Sequence, residues 1–417
     1  MTSPLRQLEA DHSPRKRWSP AWSALRHRDF RFLWAATFVS NAGSWMQKMV
    51  TSWLVYRLTG SAAWLGLDAF ASGFTTVMLL PWGGVVADRI NRRQLLVWCN
   101  VACATLAIVL AGLDGAGMIR AWHIVAISGA SGVVQAMMIP AGTSLLPALV
   151  GEADVPNAIA LNSLQFNLSR VIGPAVGGAA LAYLGAAWGF ALNAASFLVL
   201  VAAFILIRSI PPMPREDVTV RKSLINGLLF VRGRGDLIVV LATIGAAAFL
   251  AAPVVSLLPA LVKSAFVRDS GSYATLLGCF GGGAVVAASL STVAGGRFTT
   301  RRMVALSLAC VGACEVLLAF SSWNVAVLMV ALAGFGFVGA MIHLGTSLLQ
   351  NTPDKYRGRV TSLQQVCFRG AQPLGALVGG IVGQHLGVRA TFGGFGAMLL
   401  FTGATLAIGF RTVPRRR

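Results

Sequence analysis

Apolar runs close to twenty residues long recur along nearly the whole of this 417-residue chain, and most of the connections between them are short. The hydrocarbon core of a bilayer is about 30 Å thick and takes about 20 apolar residues to cross as a helix. Lipid offers no partner to an unpaired backbone amide, so each run is predicted to be helical. A mean hydropathy of +0.71 with only 12% charged residues excludes two or three soluble domains. Twelve spans fit: 32–56, 62–87, 94–113, 121–147, 157–183, 187–207, 236–262, 271–294, 303–321, 324–349, 360–386 and 389–410. The expected fold class is an all-α integral membrane protein of twelve transmembrane helices in two pseudo-symmetric six-helix halves. The expected division is a basic tail (1–31), a first bundle (32–207), a linker holding Pro211, Pro212 and Pro214 (208–235), a second bundle (236–410) and a basic tail (411–417).

The net charge of +20 raises nucleic acid as a partner, and its distribution rejects that. On this topology 26 of the 34 Lys and Arg residues fall on one side of the membrane. That bias follows the positive-inside rule and places both termini in the cytoplasm of a multi-pass inner-membrane protein. A nucleic-acid binder would instead gather its basic residues on one surface with aromatics between them. The opening 28 residues are polar and basic, without the apolar core of a signal peptide, and are read as a cytoplasmic tail. Cys99, Cys103, Cys279, Cys310, Cys314 and Cys367 all fall in predicted spans. The pairs Cys99/Cys103 and Cys310/Cys314 have a helical metal spacing but no His or Asp partner nearby, so they are read as small packing residues and no metal is expected.

The two halves repeat. Gly142-Thr143-Ser144-Leu145-Leu146-Pro147 closes span four, and Gly345-Thr346-Ser347-Leu348-Leu349-Gln350 closes span ten. Ser163-Leu164-Gln165, Arg170 and Pro174 in span five are matched by Ser362-Leu363-Gln364, Arg369 and Pro373 in span eleven. Arg89, Arg92 and Arg93 are echoed by Arg297, Arg301 and Arg302, with Gly296 where Asp88 would fall. A duplicated six-span unit places a binding site near the midplane between the halves, reached alternately from either side as they rock.

With these features in place, the chain resembles the major facilitator superfamily over its whole length. The connection after span two is similar to that superfamily's signature, carried by Gly84, Asp88, Arg89, Arg92 and Arg93. Asn91 stands where the signature usually has glycine, and its tolerance of the left-handed conformation is expected to keep the turn. Gly173, Pro174, Gly177 and Gly178 in span five resemble the motif of the exporter branches. Phe32-Leu33-Trp34, Ser40-Asn41, Trp53-Leu54-Val55-Tyr56 and Leu58-Thr59-Gly60-Ser61 resemble the branch that holds enterobactin and macrolide exporters. The resemblance implies a cytoplasmic gate in which Asp88 bonds the arginine of its own motif and the start of span eleven, closing that side.

Ionisable groups inside lipid cost about 2.5–3.5 kcal/mol at mid-helix, which makes each a functional candidate. Lys48 and Asp68 flank the turn near residues 58–59 at similar depth and could pair. The plainer reading is that Lys48 snorkels to the outer surface. Asn41, Ser44, Trp45 and Lys48 share one helical face and are expected to line the cavity. Arg170 and Arg369 each lie about ten residues into their spans, or ~15 Å, close to the midplane. Either they give an electropositive site for an anionic or amphiphilic substrate, or they hydrogen-bond carbonyls beside their prolines and hold the bundle together. Glu315 in span nine and Asp68 are the candidates for proton coupling, since a desolvated carboxyl exchanges protons near neutral pH. For Glu315, the alternative is a structural partner for an arginine. His343 has no partner and is left out.

The glycine pattern Gly334-Phe335-Gly336-Phe337-Val338-Gly339 matches a dinucleotide fingerprint but lacks the preceding strand, and is read as close helix packing. No phosphate loop appears, so the expected energy source is a proton gradient, with no cofactor. The function expected is export of a small amphiphilic siderophore- or drug-like molecule by a monomeric, non-enzymatic antiporter in the lipid bilayer. Import or uniport of an organic anion, and a receptor or scaffold without transport, are the alternatives.

Overall fold

A computed structural model describes residues 22–143, 145, 149–207, 227–294 and 300–409. Among these residues twelve long helices follow one another, and no strand forms. They are α1 (Arg28–Thr59), α2 (Ala62–Arg89), α3 (Arg92–Gly115), α4 (Ala121–Thr143), α5 (Val155–Tyr183) and α6 (Ala186–Leu206), then α7 (Gly235–Ala265), α8 (Ser270–Ala294), α9 (Thr300–Leu318), α10 (Trp323–Gln350), α11 (Asp354–Leu386) and α12 (Val388–Gly409). Nine of them, all but α1, α5 and α9, are long and apolar enough to cross a membrane. The other three carry the polar positions noted above: Asn41 and Lys48 on α1, Gln165 and Arg170 on α5, Glu315 on α9. Much of the predicted linker, both chain ends, and Ser144, Leu146, Pro147 and Arg297 lie outside the described residues, as do the side chains of Asp88 and Arg301.

One local expectation holds and one needs correction. Span seven carries Pro253 and Pro259, each of which can kink a helix, and α7 is indeed broken there: it is built from Gly235–Leu250, Ala252–Ser256, Leu258–Ala260 and a π turn at Leu261–Ala265. Pro253 and Pro259 lack the N–H that would continue the ladder, so the helix breaks just before each. Asn91 does not use the left-handed conformation, having φ −57°. Its side chain instead caps α3, accepting from the backbone N–H groups of Arg93 at 3.0 Å and Gln94 at 3.4 Å. Left-handed backbone occurs elsewhere, as at Gly60, whose φ of 60° ends α1 and turns the chain into α2.

The helices α1–α6 pack among themselves, as do α7–α12. The two groups meet chiefly through α2 against α11 and α5 against α8, which the repeat makes equivalent pairings. One end of the bundle carries Arg89, Arg92, Arg93, Arg357 and Arg359 and is called the basic end. Exposed Trp82 and Trp98 ring the bundle towards it, and Trp122, Tyr183 and Trp188 ring it towards the opposite end. Amphipathic rings in two such bands suit the two interfaces of a bilayer.

At the basic end a short 3₁₀ turn, Ser23–Arg26, is pinned to the start of α5. The Ser23 hydroxyl donates to Asp154 Oδ1 at 2.6 Å, His27 Nε2 lies 2.9 Å from Oδ2, and the Ala24 N–H donates to Asn157 Oδ1 at 3.0 Å. Ser23 first, then His27, holds the Asp154 carboxyl below its usual range. A carboxyl lowered in the folded state stabilises above its unfolded value and loses that contribution as pH falls through the lowered one. Asp154→Asn is therefore expected to speed amide exchange over residues 23–27 at neutral pH. Exchange unchanged from wild type would show that the latch carries no stability.

Candidate functional site

Away from the basic end the halves close on each other through small residues. The Ala62 N–H donates to Gln384 Oε1 at 3.1 Å. A Cβ at Gly380 would lie 2.7 Å from the Ala62 carbonyl and 2.9 Å from Gly66 Cα, and one at Gly178 would lie 2.6 Å from Ala274 Cβ. Gly73 packs on the ring of Pro373. Trp53 stacks on the buried Tyr273, with ring centroids 6.1 Å apart, and the Tyr273 hydroxyl bonds Ser52. Real Cβ atoms do not approach a neighbour this closely, so this seal depends on glycine.

Towards the basic end the seal loosens. At mid-length a Cβ at Gly281 would come 3.2 Å from the Arg170 carbonyl oxygen, one at Gly370 would lie 3.9 Å from Val77 Cγ1, and one at Gly282 meets nothing within 4 Å. Among the described residues no hydrogen bond or ion pair joins the two halves at the basic end. The described close contacts between the halves thus gather away from the basic end, and the space between the halves from mid-length towards that end is called the cleft.

The cleft gathers most of the charged candidates. Trp45 on α1 holds two cations, Lys48 Nζ at 5.2 Å and Arg170 Cζ at 5.3 Å from its ring centroid. Arg170 also lies 4.9 Å from the Phe280 ring of α8. Rings continue from there: Phe280 to Phe337 at 6.4 Å, and Phe337 to Phe368 at 6.2 Å. Arg369, next to Phe368, donates through Nε to Gln365 Oε1 at 3.1 Å. Asn41 Nδ2 donates to Gln165 Oε1 at 3.4 Å. Lys48 is exposed, beside the Trp45 ring and near enough to Arg170 and Asp68 for their charges to interact.

The Lys48–Asp68 pair does not form in this conformation. Asp68 accepts instead from the Ser128 hydroxyl at 2.6 Å, while remaining near enough to Lys48 for their charges to interact. Glu315 lies away from the cleft, fully buried where α9 meets α12, with its Cβ 2.7 Å from where a Cβ at Gly396 would be. Neither carboxyl oxygen has a hydrogen-bond partner. Among the described residues no cluster of His, Cys, Asp or Glu could hold a metal.

The exporter-type motif in α5 works as a packing surface. A Cβ at Gly173 would lie 2.6 Å from the Ala42 carbonyl oxygen, one at Gly177 would lie 3.1 Å from that of Met46, and Pro174 is buried. In the gate motif, Arg93 donates through Nη2 to the Ile205 carbonyl at 2.6 Å, capping the end of α6. Arg89 is exposed, and Arg92 is half-buried and partnered. Sequence reasoning placed Trp45 on the cavity face but missed the rings that continue from it, Phe166, Phe280, Phe337 and Phe368, and Ser128 as the partner of Asp68. The sealing glycines left a signal: Gly66 and Gly73, seven apart, share one face of α2.

The sequence profile of the family described as Transmembrane secretion effector matches residues 19–415. The Enterobactin exporter EntS of Escherichia coli O1:K1 / APEC is 26% identical over 391 residues, 92% of this chain and 89% of that protein. The protein of the same name from Shigella boydii serotype 18 is equally similar, 26% over the same shares. Among solved structures, the nucleoside transporter NupG superposes with a TM-score of 0.72 at 13% identity, over 93% of this chain and 100% of that one. A bacterial homologue of the iron transporter ferroportin, in an inward-facing state, gives 0.71 at 16%, over 93% and 99%. At these identities the structures speak for the fold alone.

Proposed function

Because the chain belongs to the Transmembrane secretion effector family, within the major facilitator superfamily, we propose that it exports a small anionic amphiphile by alternating access, in exchange for protons. On this reading all twelve helices cross the membrane. Residues 32–207 and 236–410 form the two moving halves, joined by the linker 208–235. The basic end faces the cytoplasm with both termini, so the conformation described is open to the cytoplasm, and the chain acts as a monomer. The gate motif, with Asp88, Arg89, Arg92 and Arg93, meets the start of α11 when the halves rock the other way. An acid near a helix N-terminus is favoured there by about 0.3–1 kcal/mol.

The observation that carries the proposal is the charge of the cleft. Lys48, Arg170 and Arg369 line it, Asp68 is near enough to Lys48 for their charges to interact, and among the described residues none of the three cations has a carboxylate within ion-pair distance. Rings beside cations favour a substrate with apolar and anionic parts. The name of the similar Enterobactin exporter supports outward movement of such a molecule. Asp68, on the cleft wall, is the coupling acid favoured by position.

The test is the purified protein in liposomes with an imposed pH gradient, offered anionic, neutral and cationic amphiphiles. Gradient-driven movement of the anionic members is expected. Equal handling of cationic members would overturn the charge assignment, and movement indifferent to the gradient would overturn the exchange for protons.

A further inference from the structure

The repeat places Arg170 and Arg369 at matching positions, and symmetry alone would give them one task. Their surroundings differ. Arg170 carries an aromatic ring from each half, Trp45 at 5.3 Å and Phe280 at 4.9 Å. Its own carbonyl packs on α8 at Gly281. Arg369 bonds only Gln365, on its own helix, and among the described residues no ring or carboxylate stands against it. A guanidinium has five N–H donors; Arg369 spends one on Gln365 and Arg170 makes no hydrogen bond among the described residues, so what separates the two is the rings against Arg170.

The sequence accounts for the difference. With Arg89 in register with Arg297, Gly73 of α2 matches Gly281 of α8, and Ser72 matches Phe280. The ring that holds Arg170 therefore has no counterpart opposite Arg369. Moreover, α11 meets α2 one turn beyond Arg369, through Pro373 on Gly73. That leaves Arg369 one turn to the basic-end side of this contact, where the helices meet more loosely, a Cβ at Gly370 lying 3.9 Å from Val77 Cγ1. The ring series Phe280, Phe337 and Phe368 ends at its neighbour in sequence.

We infer that the two arginines divide the work. Arg369, beside Phe368, takes the oxyanion (a carboxylate or phosphate) of a ring-bearing substrate, and Arg170 is a positioning residue that ties α5 to α8 through Phe280. A planar fork with no ring against it suits two oxygens of one anionic group, whereas cation–π contacts with Trp45 and Phe280 hold the Arg170 guanidinium to its neighbours. The inference rests on the transporter reading for what enters the cleft, but not for the difference between the arginines.

Phenylglyoxal, which modifies uncovered guanidiniums, tests it on the purified full chain, with sites located by mass spectrometry. Arg369 is expected to react about tenfold faster than Arg170, whose cation–π contacts must break first. Phe280→Ser should raise the Arg170 rate towards that of Arg369. Benzoate or inorganic phosphate should slow the reaction at Arg369 alone. Equal rates in the wild type, or no protection of Arg369 by either anion, would overturn the inference. In liposomes Arg369→Gln should raise KM for a transported anion at little cost in kcat, with partial recovery in Arg369→Lys. Arg170→Gln should lower kcat at nearly constant KM, and the same KM change in both variants would also overturn it. A labelling difference without any anion transport would instead fault the transporter reading.

Discussion

Gly380→Leu is expected to abolish transport while leaving the protein folded. The hydrogen of Gly380 faces the Ala62 carbonyl and Gly66 Cα at distances no side chain tolerates. A leucine there must push α11 from α2 where the halves seal the cleft. Overpacking a well-fitted contact costs about 1–3 kcal/mol, which is roughly 5- to 150-fold in the population of the closed-outside state. The bundles themselves do not depend on that contact, so helical content should hold. The measurement is turnover together with labelling of Ser61→Cys by an impermeant maleimide added from outside, which should increase. Gly394→Leu, on α12 where a Cβ meets nothing within 4 Å, is the control and should change neither. Normal turnover in Gly380→Leu would show that closure at this end is not part of the cycle.

Asp68→Asn is expected to uncouple the protein, and Glu315→Gln is not. Both carboxyls are equal candidates by sequence, since each is an acid inside an apolar span. Position separates them. Asp68 lies on the cleft wall, bonded to Ser128 and within reach of the Lys48 charge, so its proton can be exchanged with whatever enters. Glu315 is fully buried where α9 meets α12, with no hydrogen-bond partner for either carboxyl oxygen. Gradient-driven accumulation should fall by about tenfold or more in Asp68→Asn, the effect of some 1.4 kcal/mol of lost coupling, while exchange down a substrate gradient persists. Glu315→Gln removes the possibility of an unpaired buried charge, and thermal stability should be equal or higher. Accumulation kept in Asp68→Asn and lost in Glu315→Gln would reverse the assignment.

Both experiments turn on contacts that no local pattern encodes. The glycine spacing on α2 announces a close approach but not its partner. An acid in a span announces a cost, but whether the cleft or a sealed interface meets it depends on how α9 crosses α12. The gate motif was legible as residues, and the role of Arg93 as a cap on Ile205 was not, because that carbonyl lies more than a hundred residues away. Asn91 shows the same limit at short range. Its place in the turn was foreseen, and the means, a side-chain cap and not a left-handed backbone, was decided by how α3 begins.

The sequence by itself determined that this chain is helical and membrane-embedded, that it repeats, and that it belongs among major facilitator transporters. Those properties follow from hydropathy, length and motif, each of which acts within one helix or one turn. Even the asymmetry between Phe280 and Ser72 was present in the letters. Only the tertiary structure gave it meaning, by bringing α8 against α5 and α2 against α11, so that one arginine is held between two rings and its twin is left open. Helix formation is a local matter between a segment and its solvent. The direction a buried charge faces is a property of the crossing between helices far apart in the chain.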